Sequence, residues 1–214
     1  TYHAGETGDL DLVVNLVKKR FPDIPLMLYG YSLGGNILLK WLGEKGNRAG
    51  ISAAAAVSTP FDLASSTSML EKGFSRIYQS HFVNLLRESA KRKFRDLPPL
   101  FNPGDLNKIK TLREFDERVT APLHGFGNAD HYYSESSCRQ FLKKIRVPTL
   151  IMNSLDDPFL DTKSFPGPKE VSEMVELEYL KKGGHAGFII GNAWKKFSFI
   201  ETRIPEFFRK QLDN

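Results

Sequence analysis

Residues 28 to 36 read LYGYSLGGN: one serine, Ser32, with a glycine two positions to either side and a third, Gly35, next to the second. The run before it, IPLMLY (24–29), is short and apolar, which suits a buried strand, and the run after it places Ile37, Leu38, Trp41 and Leu42 at helical spacing. A strand that turns at once into a helix holds its apex residue in strained backbone angles, and neighbours two positions away come too close for a Cβ. Glycines at 30 and 34 are expected to relieve that crowding. Such a turn lifts the Ser32 hydroxyl above the C-terminal edge of a sheet and aims the positive end of the next helix at it. It also offers the backbone N–H of Leu33 as an oxyanion donor.

The same alternation continues along the chain. ISAAAAVS (51–58), VPTLIMNS (147–154) and VELEYL (175–180) read as further strands, the last with Val175, Leu177 and Tyr179 facing inward. Helical segments flank them, GDLDLVVNLVKKRF at the front and FIETRIPEFFRKQL at the tail, the latter expected to kink or restart at Pro205. Strands separated by helices give an α/β fold with a mostly parallel sheet and helices on both faces. About 90 helix-forming residues lie between the second and third strands, broken by DLPPLFNPGD at 96–105, where a crossover needs about a dozen. An inserted helical cap over about 62–140 is expected there. Met69, Leu70, Phe74, Ile77, Tyr78 and Phe82 would either shape an apolar pocket beneath it or form its helix core.

A serine nucleophile needs a base, and the base an acid that orients it. SLDDPFLD follows the third strand and KGGHAGF the fourth, so Ser32, an aspartate at 156 or 157, and His185 fall in the order serine, acid, histidine. Asp157 is favoured because it begins the D-P-F turn, whereas Asp156 is closer to the strand and suited to local hydrogen bonding. PLHGFGN (122–128) imitates an oxyanion loop. It lies in the expected cap, though, and reads as a glycine-rich turn. His3, His81 and His131 show no metal spacing, so no metal and no cofactor is expected.

Composition bounds the remainder. The 214 residues, 41% of them hydrophobic, suffice for one domain core, and no run approaches the roughly 18 apolar residues of a membrane span. The N-terminus has no signal-like pattern, and the single cysteine, Cys138, cannot form an intrachain disulfide; both suit the cytoplasm. A net charge of +5 is too slight for a nucleic-acid signature. RESAKRKFR (87–95) reads as a solvated helix face or a contact with anionic lipid or substrate.

YHAGET, GYSLGGN, TLREFDERVTAPLHGFGNADHYY, DDPF and GGHAGF, in that order, resemble segments of the YheT-like α/β-hydrolases, which are related to eukaryotic α/β-hydrolase-domain lipases and esterases. The resemblance implies an α/β-hydrolase fold, a nucleophile at Ser32, an acid at Asp157 and a base at His185, acting on small-molecule carboxylic esters, lipid-like ones included. It also implies that residues 1–214 are the C-terminal portion of one such domain, with N-terminal strands and an H-G oxyanion segment upstream. Two alternatives stand beside the hydrolase reading: an acyltransferase using the same acyl-enzyme, and a non-catalytic binding module on the hydrolase fold.

Overall fold

The computed structural model describes residues 2–95, 103–191 and 196–213. Four strands, β1 (Met27–Tyr31), β2 (Ala53–Val57), β3 (Thr149–Ser154) and β4 (Val175–Leu180), form a parallel sheet in the order β1-β2-β3-β4. β1 pairs with β2 from Met27 against Ala53 to Tyr31 against Val57, and β3 with β4 from Thr149 against Val175 to Ser154 against Leu180. The strand reading is met at all four places.

β2 is nearly all alanine and wholly buried, and its two faces serve two cores. Ala54 and Ala56, with Ile151, meet Leu38, Leu39, Trp41 and Leu42 of helix α2 (Leu33–Lys45) and Val14 of α1 (Gly8–Arg20). Ala53, Ala55 and Val57, with Leu150 and Met152, meet Phe188 and two residues of the C-terminal helix, Ile204 and Phe207. Side chains of one carbon let both helix layers approach the centre of the sheet closely. Each large apolar side chain sealed there is worth about 1.5–3 kcal/mol. On β4, Val175 and Leu177 pack against the α2 side, while Glu176 and Glu178 on the opposite side pair with Arg203 of the C-terminal helix.

The segment between β2 and β3 carries α3 (Leu63–Leu70), α4 (Ser75–Lys93), α5 (Leu112–Phe115), α6 (Ala121–Leu123) and α7 (Ala129–Ser136). A single π-helical turn, Asp116–Thr120, joins α5 to α6. Of the break expected at 96–105, residues 96–102 lie outside the described residues. After β4 come a short antiparallel pair that periodicity did not reveal, β5 (Ile189–Gly191) with β6 (Lys196–Ser198), and then helix α8 (Phe199–Leu212). α8 runs through Pro205 as one helix instead of restarting there. Pro205 removes a single backbone donor, and the Ile204 and Phe207 contacts with the sheet hold the helix across it.

The cap residues correct an expectation. Leu70 and Phe82 line the large cavity above the sheet, but Phe74, Ile77 and Tyr78 are 87%, 66% and 52% exposed and lie outside both that cavity's lining and the buried clusters. Helical spacing reports that a face is apolar and is silent on what covers it.

Candidate active site

β1 ends in the turn quoted above. Ser32 has φ 51° and ψ −121°, a positive φ that a side chain adopts only under constraint, and its N–H is held by the carbonyl of Val57 at 2.8 Å. The Ser32 carbonyl already accepts from the N–H groups of Gly35 and Asn36, which starts α2 immediately. A Cβ on Gly30 would meet the carbonyl oxygen of Gly34 at 2.6 Å, so glycine is required at that position. Position 34 departs from the expectation: a Cβ there meets nothing within 4 Å. The second obligatory glycine is Gly35, whose Cβ would lie 2.2 Å from the Thr59 hydroxyl beyond β2.

The Ser32 Oγ lies 3.0 Å from Nε2 of His185, and Nδ1 of His185 lies 2.7 Å from Oδ2 of Asp157. A carboxylate only accepts, so Nδ1–H donates to Asp157 and the bare Nε2 accepts from the serine hydroxyl. The Asp157 side chain is fully buried, and its Oδ1 accepts the N–H of Phe159 at 2.9 Å. Asp156, the other candidate acid, faces away. Its Oδ1 accepts from the N–H groups of Gly183 and Gly184 and from the Ser154 hydroxyl, and the hydroxyl first, then Gly184, hold this carboxyl below the usual range. Asp156 therefore ties down the loop that carries His185.

Two further anchors were not visible in the sequence. The hydroxyls of Tyr31 and Ser58 both donate to the backbone carbonyl of His185, at 3.0 and 2.5 Å. Ser58, like Ser32, has a positive φ, 52°, and stands at the end of its strand. Burial, followed by the nearby Asp157 charge, pushes the Tyr31 phenol up, so it remains a donor. The rings of Tyr31 and Phe159 flank the imidazole with centroids 5.5 and 4.8 Å away.

Leu33 is the first residue of α2, so its N–H has no acceptor inside the helix and is available beside Ser32. Asn36, one turn on and wholly buried, donates to the carbonyls of Ala4 and Ser136 and accepts the N–H of Cys138. That fastens the N-terminal segment and α7 to the base of the elbow. A cavity of about 690 Å³ opens over Ser32, Leu33 and His185, walled by leucines of α3, α4 and α5.

The remaining expected residues lie elsewhere. His3 packs against the rings of His124, Phe126 and Tyr132 and lines the cavity; burial first, and mutual repulsion next, hold it below the usual histidine range. His131 accepts the N–H of Gly127. The 122–128 segment is a turn with Gly125 at φ 78°. Cys138 is buried, and burial raises its thiol far above the usual range, which leaves it inert. Among the described residues no group of three or more His, Cys, Asp or Glu could hold a metal, and no helix is long and apolar enough to cross a membrane.

Comparison with known proteins bears on this arrangement. The family model described as "Serine aminopeptidase, S33" matches residues 7–186. YheT of Escherichia coli (strain K12), named as an esterase, is 38% identical over 99% of this chain, and Phospholipase ABHD3 of Bos taurus is 28% identical over all of it. The chain spans 63% and 53% of those relatives' lengths. The Pyrococcus furiosus esterase Pf2001 superposes with a TM-score of 0.54 over 98% of this chain and 64% of its own, at 16% identity, a likeness of fold. A matching family model over most of the chain, the parallel sheet with its elbow and the end-to-end identity with YheT agree: the chain belongs to the serine aminopeptidase S33 family of α/β-hydrolases and is YheT-like within it.

Proposed function

We propose that the protein is a serine hydrolase of carboxylic esters, lipid-like ones included, with Ser32 as nucleophile, His185 as general base and acid, Asp157 as the orienting carboxylate and Leu33 N–H as an oxyanion donor. The observation that carries this reading is the unbroken hydrogen-bonded run from Ser32 through His185 to a buried Asp157 at the mouth of an apolar cavity. Ser32 Oγ bonds to the acyl carbon while its proton passes to Nε2, and the charge that develops on the carbonyl oxygen lies near Leu33 N–H. His185 returns the proton to the departing alcohol, leaving an ester on Ser32. Water then gives a proton to Nε2 and its hydroxyl to the acyl carbon; as the acyl–Oγ bond breaks His185 passes that proton to Oγ, and the acid leaves with Ser32 restored. The names of the relatives, esterase and phospholipase, agree with this class of substrate.

The helices between β2 and β3 act as a cap over the cavity in this reading. The exposed apolar residues at the start of α4, Phe74 at its N-cap with Ile77 and Tyr78, and its basic end, Lys91, Arg92 and Lys93, suit peripheral contact with an anionic lipid surface, from which a lipid ester would enter.

The test is covalent labelling by a fluorophosphonate, followed with hydrolysis of short p-nitrophenyl esters. Labelling and turnover lost together in Ser32→Ala are the expected result. Hydrolysis that survives in that variant overturns the reading.

A further inference from the structure

The lining of the cavity holds one carboxyl group, and the reaction above leaves it unused. Asp116 lines it together with Ser32 and His185, in a wall that includes Leu63, Leu70, Phe82, Leu85, Leu86 and Leu112. Its Oδ1 accepts from the Thr120 hydroxyl and its Oδ2 from the Tyr133 hydroxyl, each at 2.7 Å. Each oxygen of a carboxylate has room for two such bonds, so one acceptor position on each stays open. Among the described residues no Lys or Arg forms an ion pair with it.

We propose that the Asp116 carboxylate, held by Thr120 and Tyr133, is a recognition site for a free hydroxyl group on the substrate ester. Rests on the ester-hydrolase reading, this assignment does, and it names a feature of the substrate that reading leaves open.

Three observations carry it. First, the backbone here is the π-helical turn Asp116–Thr120, in which the N–H of Ala121 reaches the carbonyl of Asp116 five residues back. Such turns are rare and are frequently found at functional sites. Second, a carboxylate without a cation in a leucine wall is costly, and burial pushes this one upward while the Tyr133 and Thr120 hydroxyls oppose that push. Third, Tyr133 belongs to a packed cluster against which Leu33, the residue beside the nucleophile, also rests.

An alcohol hydroxyl fits better than a cation. It donates a proton without bringing a second charge into an apolar wall, and the leucines take the aliphatic remainder. The hydroxyl could stand on the alcohol or on the acyl part of the ester, and three probes separate these: 1-octanoylglycerol, ethyl 8-hydroxyoctanoate and ethyl octanoate. The readout is kcat/KM for wild type, Asp116→Asn and Tyr133→Phe.

Wild type is expected to favour one hydroxyl-bearing ester over ethyl octanoate by about tenfold to a hundredfold, the effect of a hydrogen bond to a charged group. Asp116→Asn should lose that preference, mainly in KM, so that its kcat/KM ratio between the favoured hydroxyl-bearing ester and ethyl octanoate falls toward one. Tyr133→Phe keeps the carboxylate and should retain part of the preference. Equal kcat/KM for all three esters in wild type overturns the proposal without need of any variant. So does Asp116→Asn behaving like Tyr133→Phe, which would reduce Asp116 to a support for the tyrosine. A wild-type protein that cleaves none of the three while Ser32 also resists the fluorophosphonate defeats the hydrolase reading itself, a different failure.

Discussion

Oδ2 of Asp157 lies 2.7 Å from Nδ1 of His185, and the aspartate beside it, Asp156, holds the same histidine's loop from outside through Gly183 and Gly184. Two adjacent carboxylates thus act on one imidazole by separate routes, one on the ring and one on its backbone. Asp157→Asn reverses the donor–acceptor match at Nδ1 and is expected to lower kcat by about 10⁴. Asp156→Asn leaves the ring contact intact and loosens the loop, so a far smaller loss is expected. Steady-state kinetics on a p-nitrophenyl ester compares them, and equal losses would contradict the division of roles.

The Asp156 carboxyl also predicts an acid dependence. Its pKa in the folded protein is depressed, chiefly by the Ser154 hydroxyl and the Gly184 N–H, below that of the unfolded chain, near 3.9 for an aspartate. Between those two values the unfolded state binds more protons, so the group's contribution is complete above about pH 4 and is lost as pH falls through the depressed value. Urea unfolding from pH 6 to pH 3 should show stability falling more steeply in wild type than in Asp156→Asn. Parallel curves would show that the interaction has no net effect on folding.

The elbow makes a prediction on three glycines. Gly30→Ala sets a Cβ against backbone at 2.6 Å, which cannot yield without moving the turn that carries Ser32, and is expected to cost about 3 kcal/mol or more. Gly35→Ala drives into the Thr59 side chain, itself buried, and should cost about 1–3 kcal/mol. Gly34→Ala meets no neighbour and should change stability by less than about 1 kcal/mol. Denaturant midpoints rank the three, and a Gly34 variant as damaged as the Gly30 variant would refute the assignment.

That ranking marks where the sequence ceased to be informative. The elbow was legible because strand, apex and helix are contiguous, so local crowding at Gly30 follows from spacing alone. Gly35 owes its role to Thr59, which arrives from the end of another strand, and no local pattern carries that contact. Tyr31 and Ser58, and the reach of Asp156 beyond its local bond with Ser154, were hidden for the same reason: each anchors the His185 loop across 27 to 154 positions of chain. VELEYL was readable to the residue, since alternation separates Val175 and Leu177 from the glutamates that pair with Arg203. The α4 residues misled because a helical period is the same whether its face meets a core, a ligand or solvent.

Asn36 tests how far the elbow depends on its surroundings. Asn36→Ala would leave the carbonyls of Ala4 and Ser136 and the N–H of Cys138 without partners in a dry interior. At about 1–3 kcal/mol for a buried group left unsatisfied, a loss of about 3 kcal/mol or more is expected. The thermal midpoint should drop accordingly, with fluorophosphonate labelling persisting at low temperature, because Asn36 supports the elbow without touching the reacting atoms.

The exposed face of α4 makes the last prediction. Phe74 and Ile77 are 87% and 66% exposed, which is costly in water unless a partner takes them up, and the cations at 91–93 select an anionic surface over a neutral one. The protein is expected to co-sediment with vesicles containing phosphatidylglycerol and much less with pure phosphatidylcholine, and added salt should weaken the binding. The double variant Phe74→Asp, Ile77→Asp removes the apolar half of the attraction. Because both side chains stand in solvent, its folding and its hydrolysis of a water-soluble ester should match wild type while vesicle binding falls at least about tenfold, two buried aromatic or aliphatic side chains being worth more than 1.4 kcal/mol. Vesicle binding unchanged in that variant would remove α4 as the contact. A concentration-dependent dimer that the same substitutions dissolve would assign the face to a second copy of the chain instead.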